Sequence, residues 1–382
     1  MIRLTPLRFL FGCLAVAACG QDLPRGQIID TVRCTADPSQ NYALYLPSHY
    51  SQGKRWSLIL AFDPRARGRA AVEQYQAAAE KYGYVVAGSN VSRNGPPAIS
   101  LAAAQSMWSD VGKRFSINPK RIYTAGLSGG ARIAMKVAID SDQIAGVIAS
   151  SAGFPPGHQR NELPFVLFGT AGTEDFNYIE MRQLDETLTS PHRVVVFQGG
   201  HTWLPVSLAV EAVEWLEIQA MKSGRRERDP GLIETIFARR VVELSEQKSD
   251  LETLESLNSL VTDFRALADV SKYSAQADAL RKKKSVTDAM DKERQNERQE
   301  SQQATVIQEL EAGLGEEPDT RAACFAQLKT RLSKLAGQSK SADDSSDRRM
   351  ARRILGGVFL DSRGVADTEF QTFVDSLRAA GH

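Results

Sequence analysis

Eight short apolar runs recur along the first 200 residues, at 28–33, 42–46, 57–62, 84–88, 121–125, 145–150, 164–169 and 193–198. Helical periodicity fills most of the gaps between them, over 71–82, 99–115, 129–140 and 178–189, and continues past the last run over 205–221. Runs such as SLILAF and YVVAG lack the in-and-out alternation of a half-exposed strand. They suit strands buried on both faces of a parallel sheet. Strands alternating with helices predict a doubly wound, mostly parallel α/β sheet. The first two runs have no helix between them and are expected to pair antiparallel at one edge.

The rest of the chain has a different character. Of 382 residues, 47 are Lys or Arg and 46 are Asp or Glu, a net charge of +1. That balance lacks the basic excess of a nucleic-acid-binding protein, and a hydrophobic content of 42% excludes a disordered charged tail. Residues 221–382 hold 55 of the 93 charges, whereas all four Trp and 13 of the 15 Pro lie before them. Ser223 to Gly231, with Gly224, Pro230 and Gly231 around a run of charges, marks a boundary or exposed linker. Helical patterns follow at 232–245, 248–268, 272–312, 319–335, 348–361 and 366–379, with a polar, flexible loop expected at 337–347. The stretch from Arg281 to Gln303 reads as a long solvated helix. The last helix pairs faintly suggest a tetratricopeptide-like stack, without its signature residues.

Gly126-Leu127-Ser128-Gly129-Gly130 fits G-x-S-x-G, with a strand running in and an amphipathic helix running out. This is the setting of a nucleophile elbow, in which glycines let strand and helix pack closely around a strained serine. A serine hydroxyl is a weak nucleophile and needs a base. His201 follows two glycines at the carboxyl end of the last strand, where catalytic groups gather in open α/β sheets. His49, His158 and His192 fit that place less well. The acid is expected after the run 164–169, where Asp175 is preferred and Glu174 is its neighbour and rival. A carboxylate there would hold the imidazole's tautomer. One oxyanion donor is expected to be the N–H of Gly129. The second is expected from FDPRARG, at Asp63 or Arg65, since Pro64 has no N–H. The side chains of Asp63 and Arg67 are an alternative, pairing to shape that loop. For the segment from Ser89 to Pro96, lining the pocket mouth and forming a plain turn are equal readings.

GLSGGARIA, FDPRARG, SNVSRNG, GTAGTEDFNY and GGHTW together resemble the α/β-hydrolase superfamily over about residues 28–220. The nearest branch resembles the esterases around dienelactone hydrolases and polyhydroxybutyrate-depolymerase-like enzymes. The resemblance implies Ser128 as nucleophile, Asp175 as acid, His201 as base and Gly129 as oxyanion donor. The chain departs from dienelactone hydrolases in using Ser for Cys, and FDPRARG replaces a His-Gly oxyanion loop. Only residues 151–163 are available for a cap after the run 145–150, so a pocket without a lid is expected. Residues 20–225 alone are then expected to suffice for a small ester. The helical part has no share in the resemblance.

At the amino end, Arg3 and Arg8 precede an apolar stretch, Phe9 to Ala18, too short to span a bilayer. Val16-Ala17-Ala18-Cys19-Gly20 resembles the lipobox of bacterial lipoproteins, in which the signal is cut before a Cys that is then acylated. Such acyl chains tether a protein to the membrane. The organisation expected is a lipoprotein signal peptide at 1–18, a tether at 19–27, the hydrolase domain at 28–222, a linker at 223–231 and an α-helical domain at 232–382. The location expected is the periplasmic side of the cell envelope, at the outer membrane. Cys34 and Cys324 lie in different regions, and two free thiols are at least as consistent as one disulfide. Scattered histidines give no metal-ligand spacing, and no cofactor is implied. The leading reading is a lipid-anchored serine hydrolase of small or polymeric esters. A binding or scaffolding lipoprotein, whose helices recruit a protein partner, and a serine peptidase are the other two readings.

Overall fold

The computed structural model describes residues 23–381; the signal segment, Cys19 and His382 lie outside them. Eight strands form one sheet: β1 (Ile28–Arg33), β2 (Asn41–Tyr45), β3 (Trp56–Phe62), β4 (Tyr84–Ser89), β5 (Ile117–Leu127), β6 (Ile144–Ser150), β7 (Val166–Gly172) and β8 (His192–Phe197). Their order is β1-β2-β4-β3-β5-β6-β7-β8. β1 pairs β2, and β2 pairs β4, antiparallel; every other pairing is parallel. Five helices alternate with the strands: α1 (Gly68–Tyr82), α2 (Pro97–Arg114), α3 (Gly129–Ile139), α4 (Tyr178–Thr187) and α5 (Val206–Lys222).

The sheet is doubly covered for the reason its sequence implied. Side chains alternate along a strand. Leu58, Leu60 and Phe62 of β3 join Val85 and Ala87 of β4 in a core beneath α2 and α3. Ile59 and Ala61 join Tyr84 and Val86 in a second core beneath α1 and α5. Both faces are apolar, so the central strands read as continuous hydrophobic runs.

Beyond the sheet lie α6 (Pro230–Glu243), α7 (Asp250–Phe264), α8 (Ser271–Arg281), α9 (Lys284–Ala312), α10 (Pro318–Ser339), α11 (Ser346–Asp361) and α12 (Thr368–Ala379). The expected linker is an ordered turn: Arg225 and Arg226 donate their N–H groups to Ala220 O, and Asp229 caps α6. The single helix expected over 272–312 is two, broken at Lys282 and Lys283. The break lets Val286 turn into the core of Leu254, Leu257 and Ala277. α10 runs on to Ser339, so the polar loop is shorter than expected. α9 buries only Val286, Glu300 and Ile307, which is why its sequence is so highly charged.

Among the contacts that hold the helices to the sheet are one apolar weld and one polar weld. Ile218 and Met221 of α5 share a core with Ile233 and Ile236 of α6 and Leu260 and Phe264 of α7. The second weld is polar. Arg353 of α11 is buried; it pairs in bidentate fashion with Glu300 of α9, donates to Thr173 O at 2.6 Å and lies 4.3 Å above the Tyr178 ring. Breaking a buried pair strands a charge. Arg353→Ala is therefore expected to cost about 3–5 kcal/mol, read as a lower Tm of the full chain. Lys284→Ala, which removes an exposed pair with Asp288, is expected to leave Tm unchanged within error.

Candidate active site

Four parallel strands, β5 to β8, end side by side, and each delivers a loop to the same edge. The loop after β5 is the sharpest. Ser128 has φ 54° and ψ −122°, in the left-handed half of backbone space that L residues avoid. Its N–H donates to Ser150 O at the end of β6. Glycine makes the reversal possible. A Cβ on Gly126 would fall 2.2 Å from Gly130 O, and one on Gly130 would fall 2.1 Å from Phe62 O. Ser128 is thus presented at the N-terminus of α3, whose first N–H groups have no intrahelical partner.

The loops after β7 and β8 meet through a second glycine contact. A Cβ on Gly172 would fall 2.3 Å from Gly199 O. The close approach lets Thr173 and Glu174 donate their N–H groups to Phe197 O and Gly199 O, each at 2.8 Å. Asp175 and His201 are thereby brought together, with Nδ1 of the imidazole 2.8 Å from Oδ1 of the carboxylate. Asp175 is fully buried, its Oδ1 also accepts from Asn177 N, and its Oδ2 has no partner. The carboxylate therefore fixes which ring nitrogen of His201 faces it. Glu174, the sequence rival, faces away and pairs with Arg352 and Arg348 of α11. Ser128 Oγ and His201 form no hydrogen bond among the described residues. Such contacts are often open without substrate and tighten when it binds.

Phe176 stacks on His201, ring centroids 3.9 Å apart. It lines the same cavity as Ser128, and α11 approaches it through Gly356, where a Cβ would lie 3.4 Å from the ring. The sequence reading did not assign Phe176, Arg353 or Glu300 to the site. The adjacent pair Gly356-Gly357 inside a helical pattern was the available signal, since a glycine there often marks a close approach. Asn94 also reaches the cavity; a Cβ on Gly129 would fall 1.9 Å from its Oδ1. Within the turn from Ser89 to Pro96, Asn94 thus lines the site.

The FDPRARG loop corrects one expectation. Arg65 N donates to Asp63 Oδ1 at 2.8 Å, so it is engaged within its own loop and is not an oxyanion donor. Arg67 grips the same carboxylate through Nε and Nη2, and Trp203 Nε1 donates to Asp63 Oδ2 at 3.0 Å. Burial raises the Asp63 pKa, but the Arg67, Arg65 and Trp203 hydrogen bonds outweigh it and hold the group below its ordinary value. The Asp63 side chain ties the base loop, two residues past His201, to the end of β3. Its backbone nitrogen lies 3.3 Å from where a Cβ on Gly130 would stand, beside the start of α3.

The site is not open, contrary to the expected pocket without a lid. A cavity of about 520 Å³ lies between Ser128 and Phe176 on one side and α9 and α11 on the other. The lid is supplied by the C-terminal helices in place of an insertion after β6. In its wall, burial and the Asp361 carboxylate push Glu311 up to about 7, and burial raises Asp361 as well. Cys34 and Cys324 are both free, and burial pushes the Cys34 thiol up to about 11, an unreactive state. Among the described residues no group of three His, Cys, Asp or Glu side chains is placed to hold a metal ion, and no helix is long and apolar enough to cross a membrane.

This strand order, with β2 antiparallel and the strained serine after β5, is that of an α/β-hydrolase fold carrying a C-terminal helical region. No protein-family model matches the chain, and no curated protein does. Similar solved structures include an esterase of Pyrobaculum calidifontis, at 11% identity over 52% of this chain and 87% of that one, TM-score 0.41. Est1E of Butyrivibrio proteoclasticus is similar at 14% identity over 50% and 98%, TM-score 0.40. Thermogutta terrifontis esterase 2, phosphorylated by paraoxon, is similar at 17% identity over 53% and 96%, TM-score 0.39.

Glu311 gives a pH test. Its folded pKa lies above the ordinary carboxyl value of 4.5, so the stability it contributes is complete below that value and lost as pH rises through about 7. Glu311→Gln, which cannot ionise, is expected to match the parent Tm at pH 4 and exceed it at pH 8. Thermal melts at the two pH values check the widening gap.

Proposed function

We propose that this chain is a serine hydrolase of carboxylic esters, anchored by lipid on the periplasmic side of a bacterial envelope. The observation that carries the reading is the 2.8 Å Asp175–His201 pair, delivered to the same sheet edge as a serine held at positive φ. Ser128 Oγ attacks the ester carbonyl while His201 Nε2 takes its proton. His201 Nδ1–H stays donated to Asp175, which stabilises the imidazolium without accepting the proton. The carbonyl oxygen becomes negative and is held by the Gly129 N–H, with the Asp63 N–H beside it, where the α3 dipole favours charge. His201 returns its proton to the leaving alcohol, and a water activated by the same base clears the acyl-enzyme.

A strained serine weighs against a relic domain in a scaffolding lipoprotein, because such strain persists only where the surroundings enforce it. Peptide hydrolysis would use the same groups; the ester reading is preferred because nothing in the chain resembles a peptide-recognition module. Lipid anchoring rests on the Cys19 motif, from which β1 starts at Ile28.

The chain from Gly20 onward is expected to hydrolyse p-nitrophenyl acetate and to label with a fluorophosphonate. Ser128→Ala should do neither; equal turnover by the two proteins would contradict the reading. Asp175→Asn is expected to lower kcat by about 10⁴ through the wrong imidazole tautomer, whereas Glu174→Gln should retain most of it. For the anchor, Cys19→Ala is expected to move the expressed protein from the detergent phase to the aqueous phase in a partition assay.

A further inference from the structure

We infer that the cavity under α9 and α11 is an acyl pocket, and that the C-terminal helices select esters by the length of an uncharged, apolar acyl chain. This rests on the hydrolase reading and names the substrate class for it. The cavity of about 520 Å³ is far larger than an acetyl group and falls within the usual range of ligand sites. It begins at Ser128 and Gly129, where an acyl carbon would be bound.

Its opposite wall is built by residues more than 170 positions away in sequence. Ala304 and Ile307 of α9 and Ile354, Gly357 and Val358 of α11 line it together. Ile307, Ile354 and Val358 belong to the buried core of the helical region, so their apolar faces are held in place. Ala304 and Gly357 are the small residues of the wall and leave the space open. The charged groups of the cavity disfavour an anionic chain. Arg132 is bound by Glu180 and Arg353 by Glu300, whereas Glu311 and Asp361 have no cationic partner among the described residues.

The wall is also fastened to the catalytic loop. Arg352 pairs with Glu174, Arg353 donates to Thr173 O, and α11 abuts Phe176, which stacks on His201. A chain lying against α11 therefore sits on the element that supports the base. An unlidded site would read acyl length weakly; here α9 and α11 add a second wall for the chain.

The test is a series of p-nitrophenyl esters from acetate to dodecanoate, with the mature full-length protein. Each buried methylene is worth about fourfold in kcat/KM, so the value is expected to climb with length and level off once the cavity is filled. Gly357→Leu and Ala304→Phe fill the cavity from different helices, so the test survives the misfolding of either. In each, the octanoate-to-acetate ratio of kcat/KM is expected to fall by at least tenfold. A flat or falling wild-type profile, or variants with the wild-type ratio, would overturn the pocket assignment. Fluorophosphonate labelling separates the two claims. A protein that labels at Ser128 but shows a flat profile loses only the acyl pocket; one that neither labels nor turns over any ester loses the hydrolase reading.

Discussion

The structure turns on how closely backbone can approach backbone at the carboxyl edge of the sheet. Gly126 against Gly130, Gly130 against Phe62 and Gly172 against Gly199 are contacts that any Cβ would forbid. The first two let the chain reverse at Ser128 with a left-handed serine and enter α3 directly. The third lets the acid loop and the base loop share hydrogen bonds, which places Asp175 against His201. Remove the close approaches and the side chains remain but their convergence is lost. Strain at Ser128 is affordable because the surrounding sheet is buried on both faces and cannot relax around it.

The loop from Thr173 to Tyr178 is the joint between the two halves of the protein. On its inner side Asp175 meets His201. On its outer side Glu174 meets Arg352, Thr173 O accepts from Arg353, and Tyr178 lies under the Arg353 guanidinium. Phe176 connects the sides, stacked on the imidazole and touched by α11. The helical region is thus a wall of the site, whatever else it does.

The sheet was legible because its physics is local. Runs buried on both faces announce themselves, and helical periodicity between them leaves few topologies. The elbow was legible for the same reason: G-x-S-x-G between strand and helix is a statement about close packing within five residues. The choice of Asp175 over Glu174 was a preference that only the fold could decide, because both carboxylates leave one loop in opposite directions. The lid was not legible. Glu300 sits in the stretch that reads as a solvated helix and Arg353 in a plain helical pattern, yet the two are buried against each other. Pairing across about fifty or 180 positions leaves no periodic trace. Arg65 failed for a related reason: sequence offered an N–H, and the loop folded so that Asp63 consumed it.

The most direct measurement is a crystal structure of the mature chain after reaction with an octyl fluorophosphonate. The account predicts phosphorus bonded to Ser128 Oγ, its oxygen within hydrogen-bond distance of the Gly129 N–H, and the octyl chain against the wall of Ile307, Ile354 and Val358. An adduct on another residue, or no adduct under conditions that modify serine hydrolases, would contradict it.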